Sequence, residues 1–254
     1  RDATDKAIAI CSMENFDPVG VHTGDSIVFA PAQTLSDEQL AMLKNSALKI
    51  LRHLEIEGGC NVQFALKPGT MEYYLIEINP RVSRSSALAS KATAYPIARV
   101  TAKIAVGLTL DEINISGIPA SYEPAIDYVV AKVARFPFDK FTSANNTLST
   151  QMKATGEVMS LGQSILEILL KAVRGLETGV DHFEMPKFKS WTKEQLLEYI
   201  HTPTDERLYA LGEAIRKGAT NEEINKETAI VIPFIQIIRD AIDYEKVIAE
   251  NVKN

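Results

Sequence analysis

The chain is 254 residues long, 46% hydrophobic and 24% charged, proportions that build a packed core and exclude a disordered or fibrous chain. Its formal net charge of −6 excludes a general affinity for nucleic acid, which needs a basic surface. Two cysteines, Cys11 and Cys60, make neither a disulfide framework nor a zinc pattern, and no apolar run reaches the ~20 residues of a membrane span.

A reducing, cytoplasmic setting is expected from this cysteine usage. The first residues, Arg1-Asp2-Ala3-Thr4-Asp5-Lys6, are polar and lack a start methionine. They are no signal peptide, and they read as the middle of a longer chain.

In chain order, residues 7–13 and 26–30 read as strands by apolar content and flanking turn residues. A helix is expected over 37–54. Ser36 and Gln39 form its capping box, and Leu40, Leu43, Ala47, Ile50, Leu51 and Leu54 share one face. Residues 61–66 and 73–79 are strand patterns joined by Lys67-Pro68-Gly69-Thr70-Met71, a hairpin signature. Residues 86–93 suit a helix, and another runs over 97–106 to Gly107. Residues 125–133 read as a strand and 165–176 as a helix. After about residue 180 the pattern becomes helical: 193–200, 206–217, 222–228 and 234–252. Thr192 with Gln195 and Thr220 with Glu223 are further capping boxes. The fold class is therefore α+β, with one domain over 1–180 and a small all-α domain over 181–254.

The hairpin carries the chemistry. Side chains alternate across a strand, so Asn61, Gln63 and Ala65 share one face and Leu75, Glu77 and Asn79 another. Cys60, Val62, Phe64, Leu66, Tyr74, Ile76 and Ile78 are expected as core. A turn centred near Gly69-Thr70 sets Gln63 opposite Glu77, ~5 Å apart at Cβ, and a slip of one residue would separate them. One carboxylate and two amide carbonyls are hard oxygen donors, suited to Mg²⁺ or Mn²⁺ on a nucleotide rather than to a soft metal. Arg81 and Arg84 follow, with forked guanidinium groups for carboxylate or phosphate. The Ser-rich helix start offers backbone N–H groups to the same anion. On spacing alone these residues read equally as a solvated strand end with surface charge.

Gly20 and Gly24 flank His22 in a loop that can approach a nucleotide closely, or can simply connect two strands. Cys11 and Cys60 read as buried small hydrophobes, and Trp191 as a helix-start packing residue. Residues 230–248 read as core or as a contact surface.

The run Glu77-Ile78-Asn79-Pro80-Arg81-Val82-Ser83-Arg84-Ser85-Ser86-Ala87-Leu88-Ala89-Ser90-Lys91-Ala92-Thr93 closely resembles the large subunit of carbamoyl-phosphate synthase. So do His22-Thr23-Gly24-Asp25-Ser26, Ala30-Pro31-Ala32-Gln33, Asn61-Val62-Gln63-Phe64, Ile126-Asp127-Tyr128-Val129-Val130, Gln151-Met152-Lys153, Gly156-Glu157-Val158-Met159 and Arg174-Gly175-Leu176-Glu177. The matches run in order from about residue 7 to 180. Residues 83–88 resemble the first of that subunit's two ATP-grasp halves, which makes carboxyphosphate from bicarbonate and ATP.

The resemblance implies the C-terminal subdomain of an ATP-grasp fold, an antiparallel sheet with helices, and then a helical oligomerisation domain. It implies Gln63, Glu77 and Asn79 as magnesium or manganese ligands. Gly20, Val21, His22, Gln63 and Glu77 would border ATP. Arg81, assisted by Arg84, would neutralise bicarbonate and the phosphoryl group in flight. Implied partners are bicarbonate, ATP, a glutaminase small subunit and further copies through the helical domain, with no nucleic acid and no membrane. Without the phosphate lid expected upstream, this segment alone is expected to be inactive. Two other readings are a biotin-carboxylase-like ligase, which shares the Glu-x-Asn pattern, and a non-catalytic assembly module.

Overall fold

The computed structural model describes residues 1–252. In chain order the elements are β1 (Glu14–Asn15), β2 (Val28–Ala30), α1 (Asp37–His53), β3 (Asn61–Leu66), β4 (Tyr73–Asn79), α2 (Arg84–Thr93) and α3 (Ile97–Ala105). They continue with β5 (Asn114–Ile115), β6 (Ile118–Pro119), β7 (Val129–Arg135), β8 (Gly156–Gly162), α4 (Ile165–Gly175), α5 (Lys193–His201), α6 (Arg207–Arg216), α7 (Asn221–Thr228) and α8 (Ile232–Val252). The fold is α+β. No described helix is long and apolar enough to cross a membrane.

The chain divides into two compact units, one of residues 1–13 and 30–127, the other of 14–29 and 128–254. The first holds the β3–β4 hairpin, α1 to α3 and the small β5–β6 hairpin. Its core gathers Tyr95, Val100, Ile104, Leu110, Ile113, Ile115 and Ala120. The capping box of Ser36 and Gln39 starts α1 as expected. Residues 7–13 form no strand. Ile8 and Ile10 pack against the core at strand spacing, but no ladder partner lies beside them. The N–H of Ala9 instead finds the carboxylate of Glu123 at 3.2 Å.

Asp2 ties this unit together. It is fully buried and its carboxylate accepts from Thr4 N (3.0 Å), Thr4 Oγ1 (2.7 Å), Lys6 N (3.1 Å) and Leu110 N (2.7 Å). Backbone donors 2 to 108 residues away thus converge on one side chain.

In the second unit the sheet runs β1-β2-β7-β8, with β1–β2 and β7–β8 antiparallel. A strand expected to begin near residue 125 begins at Val129, and β8 was not expected. The elements named after residue 180, α5 to α8, are all helices, and both expected capping boxes form, at Thr192 and Thr220. Sheet and helices share one core: Phe29, Ala131 and Val133 join Ile168, Leu196, Leu211, Phe234 and Ile238. The change of character near residue 180 is therefore one of secondary structure within a common core. Trp191 packs edge-on against Phe188 and Tyr199, as a helix-start residue should.

Arg207, 3% exposed, pins three segments of this unit. It donates to Asp17 Oδ1 (3.1 Å), to the carbonyl of Ile200 in α5 (2.7 Å) and to that of Thr228 in α7 (3.2 Å). The hydroxyl of Ser26 donates to the other oxygen of Asp17 at 2.9 Å.

The Asp2 cluster yields a pH prediction. Burial pushes its carboxyl up, but the donors from Leu110, Thr4 and Lys6 outweigh it and hold the group below its ordinary value. A depressed folded value stabilises fully above the unfolded value near ~4, and that contribution is lost as pH falls through the folded value. Asp2→Asn should cost about 1–3 kcal/mol at pH 7 and flatten the acid limb of a urea-melt stability profile below about pH 4. An unchanged acid limb would assign the acid sensitivity elsewhere.

Candidate functional site

The register of the hairpin decides the site. Asn61 pairs with Asn79, Val62 with Ile78 and Gln63 with Glu77, as the turn chemistry requires. The register then shifts between Gln63 and Phe64, so that Phe64 faces Leu75 and Ile76 is the extra residue of a bulge. The turn closes through Lys67 N to Glu72 O at 2.9 Å, with Gly69 at φ +70°.

The bulge corrects one expectation. Tyr74 and Ile76 are not core: they are 61% and 45% exposed, and Leu75 is 45% exposed. An extra residue breaks the alternation that would bury one face, and the hairpin is only two strands wide. Phe64 stacks edge-on against Tyr73 instead.

Beyond the bulge, Glu77 and Asn79 share a face of β4, and Arg81 follows just after the strand ends. These three form a chain of side chains. Asn79 Nδ2 donates to Glu77 Oε1 at 2.9 Å, and Arg81 Nη2 donates to Asn79 Oδ1 at 3.3 Å. Arg81 also donates to the carbonyl of Val82 at 3.3 Å and, through its backbone N–H, to that of Asn79 at 2.8 Å. Glu77 and Arg81 are exposed, while Gln63 and Asn79 are half-buried.

Arg84 opens α2, two residues earlier than expected. Ser83 caps the helix: its hydroxyl accepts from Ser86 N at 3.4 Å, and Ser86 Oγ accepts from Ser83 N at 3.1 Å. The capping box thus engages two of the N–H groups that the sequence assigned to an anion. Arg81 and Arg84 bracket this turn.

The donor set suits a hard divalent ion. Gln63, Glu77 and Asn79 offer oxygen only, with one negative charge among them. Among the described residues no group of three His, Cys, Asp or Glu side chains could hold a metal by itself. Such a poor ligand set fits an ion that arrives with phosphate oxygens and water.

Gly20, Val21 and His22 belong to the second unit. Gly20 sits at φ +120° with open space around it, so backbone conformation and not crowding calls for glycine. The side chain of Val21 is buried with Ala134, Phe136, Leu148 and Ala154, which leaves only its backbone for a ligand. His22 N donates to Ser149 O at 2.8 Å. Its Nδ1 accepts from Gly24 N at 2.9 Å, so Nε2 carries the ring proton. A Cβ at Gly24 would lie 2.7 Å from Met152 Sδ and 2.9 Å from His22 Nδ1. The loop is a built structure and not a slack connection.

Lys132 was missed by sequence reasoning. It is 3% exposed and donates to the carbonyls of Thr23, Gly24 and Ser26 at 2.8, 3.0 and 2.6 Å. The available signal was a lysine inside the apolar run 129–134. Cys11 and Cys60 are half-buried, and burial pushes the Cys11 thiol up to about 11, so it is unreactive at neutral pH.

Comparison with known proteins bears on the family and the fold. Residues 1–113 match the family model "Carbamoyl-phosphate synthase L chain, ATP binding domain". Residues 157–254 match "Carbamoyl-phosphate synthetase large chain, oligomerisation domain", a match that begins at β8. Among solved structures, a complete multifunctional pyruvate carboxylase from Rhizobium etli superposes with a TM-score of 0.53 at 18% identity, covering 68% of this chain and 20% of that one. A variant of the Rhizobium etli enzyme with its allosteric activator, acetyl coenzyme-A, gives 0.52 at 17% identity, covering 68% and 18%. The chain spans about a fifth of the length of these carboxylases. At such identity the likeness shows the fold alone, α+β of the ATP-grasp type. Two successive family matches, one ATP-binding and one oligomerising, carry the further conclusion: the chain belongs to the carbamoyl-phosphate synthase large-chain family.

Proposed function

We propose that this chain supplies part of the carboxyphosphate-forming half of a glutamine-dependent carbamoyl-phosphate synthase. The observation that carries the reading is the row Glu77, Asn79, Arg81, with Gln63 directly opposite Glu77. It supports the reading by lining oxygen donors up beside a guanidinium, the group types that a metal-bound nucleotide and a second anion would use. We read 1–180 as the ATP-grasp part and 181–254 as the helical, oligomerising part, the latter sharing the core of the second unit. The setting is cytoplasmic, and the small-subunit partner supplies ammonia from glutamine.

Gln63, Glu77 and Asn79 would hold Mg²⁺ or Mn²⁺. The ion, when bound, would supply charge neutralisation to the nucleotide's phosphates. The rest falls to the chain's own residues. By the family resemblance, Gly20, Val21 and His22 would contact the nucleotide. Bicarbonate and the γ-phosphate are both anions, so their in-line approach is opposed by repulsion. Arg81, with Arg84, screens that repulsion and orients the bicarbonate oxygen toward phosphorus. No side chain becomes a nucleophile; bicarbonate attacks, and the bond from γ-phosphorus to the bridging oxygen of ADP breaks.

Assembly is assigned to the helical region. Ile230, Phe234, Ile235, Ile238 and Ile242 are buried in its own core, so the inner stripe of α8 is occupied. Tyr244, Val247 and Ile248 are 64%, 47% and 50% exposed and share one helix face.

Two outcomes test this. In the full-length enzyme, Arg81→Ala and Glu77→Gln should each lower bicarbonate-dependent ATP hydrolysis ~10²–10³-fold, while the carbamate-phosphorylating half-reaction of the other half is retained. Equal loss of both half-reactions would mean misfolding, and no loss would remove these residues from the site. For assembly, sedimentation of the 254-residue chain should show a multimer that the Val247→Glu, Ile248→Glu double variant dissociates. An identical mass for both would take the contact away from α8.

A further inference from the structure

We propose that Lys132 is a positioning residue for the nucleotide-contacting loop. Its ammonium fixes the carbonyls of Thr23, Gly24 and Ser26 and so sets the backbone that presents Gly20, Val21 and His22. The inference rests on the reading that these three residues contact ATP.

The topology places Lys132 there. Along β7 the side chains alternate. Ala131 and Val133 enter the main core of the second unit. Val130, Lys132 and Ala134 take the opposite face, and Ala134 packs in the smaller cluster with Val21. Lys132 therefore rises from the sheet toward the loop that begins at Val21.

The chemistry is specific. An ammonium has three donors and no acceptor. Here three carbonyls of a four-residue span meet them, at 2.8, 3.0 and 2.6 Å. Burying an ammonium is costly unless its donors are met, and a plain aliphatic residue would suit a buried strand without that cost. What an aliphatic residue cannot do is hold three carbonyls on one side of a loop.

A second buried charge works from the other side. Asp25, 3% exposed, accepts from Lys153 N at 2.8 Å and from Ala154 N at 2.9 Å. Opposite charges thus grip residues 23–26 between β7 and the segment before β8. His22 follows from this grip: its carbonyl accepts from Asp25 N (2.8 Å) and Ser26 N (3.0 Å). Fixing 23–26 fixes where His22 stands.

The test uses the full-length enzyme with Lys132→Met, Lys132→Arg and His22→Ala. In Lys132→Met, amide hydrogen exchange over residues 20–26 should accelerate about tenfold while exchange in α4 is unchanged. The KM for ATP in bicarbonate-dependent hydrolysis should rise about tenfold, with kcat changed less than about twofold. Lys132→Arg should recover part of both effects. A residue that only stabilises the fold would change exchange across the whole unit and leave KM alone. Unchanged exchange at 20–26, or faster exchange there with unchanged KM, overturns the proposal. If Lys132→Met fails to fold, Lys132→Gln keeps two N–H donors and is scored by the same readouts. An unchanged KM for ATP in His22→Ala overturns the underlying reading and the proposal with it. A raised KM in His22→Ala beside an unchanged one in Lys132→Met overturns the proposal alone.

Discussion

A single register, Gln63 against Glu77, governs what the hairpin of the first unit can do. Strand side chains repeat every two residues, so a slip of one would turn Glu77 and Asn79 to opposite companions. The β3–β4 turn and the bulge at Ile76 together hold the pairing. The bulge lets a seven-residue strand meet a six-residue one and still deliver Glu77 opposite Gln63. It also leaves Tyr74, Leu75 and Ile76 in solvent. The row from Glu77 to Arg81 survives on the far side of the bulge, where Pro80 limits the backbone before α2 begins.

The second unit depends on buried cations that donate to backbone carbonyls and, from Arg207, to a carboxylate. Arg207 holds α5, α7 and the 14–29 segment through Ile200, Thr228 and Asp17. Removing one partner of such a buried pair typically costs ~3–5 kcal/mol, because the other charge is left uncompensated. Lys132 does the same for the loop at 23–26. Both work on main-chain oxygens, which constrains backbone position more directly than packing does. That is why the segment bearing Gly20 and His22 belongs, in structure, with helices nearly two hundred residues away: Asp17 and Arg207 are 190 apart in sequence.

What was legible in the sequence was local. Ser36 with Gln39, Thr192 with Gln195 and Thr220 with Glu223 mark helix starts because both partners of a capping box lie within four residues. The Gln63–Glu77 pairing was legible because Lys67-Pro68-Gly69-Thr70 forces a short turn. The bulge was not, since Ile76 is an ordinary strand residue and only the pairing reveals it as extra. Strand β8 was hidden by Glu157, Ser160 and its edge position, where half of its residues need not be apolar. The β5–β6 hairpin was small, though Ser116 and Gly117, both at positive φ, were its clue. The lysine in the apolar run 129–134 was visible, but what Lys132 holds was not, because its three acceptors lie more than a hundred residues upstream.

The central claim is that Gln63, Glu77 and Asn79 together receive a nucleotide-bound divalent ion. Anomalous scattering from Mn²⁺, in crystals of the full-length enzyme with a non-hydrolysable ATP analogue, tests it most directly. The account predicts one manganese peak within about 2.3 Å of an oxygen from each of Gln63, Glu77 and Asn79, with Asn79 Oδ1 turned from Arg81 to the ion. A manganese peak on the analogue's phosphates with none of these three side chains in its coordination shell would contradict it.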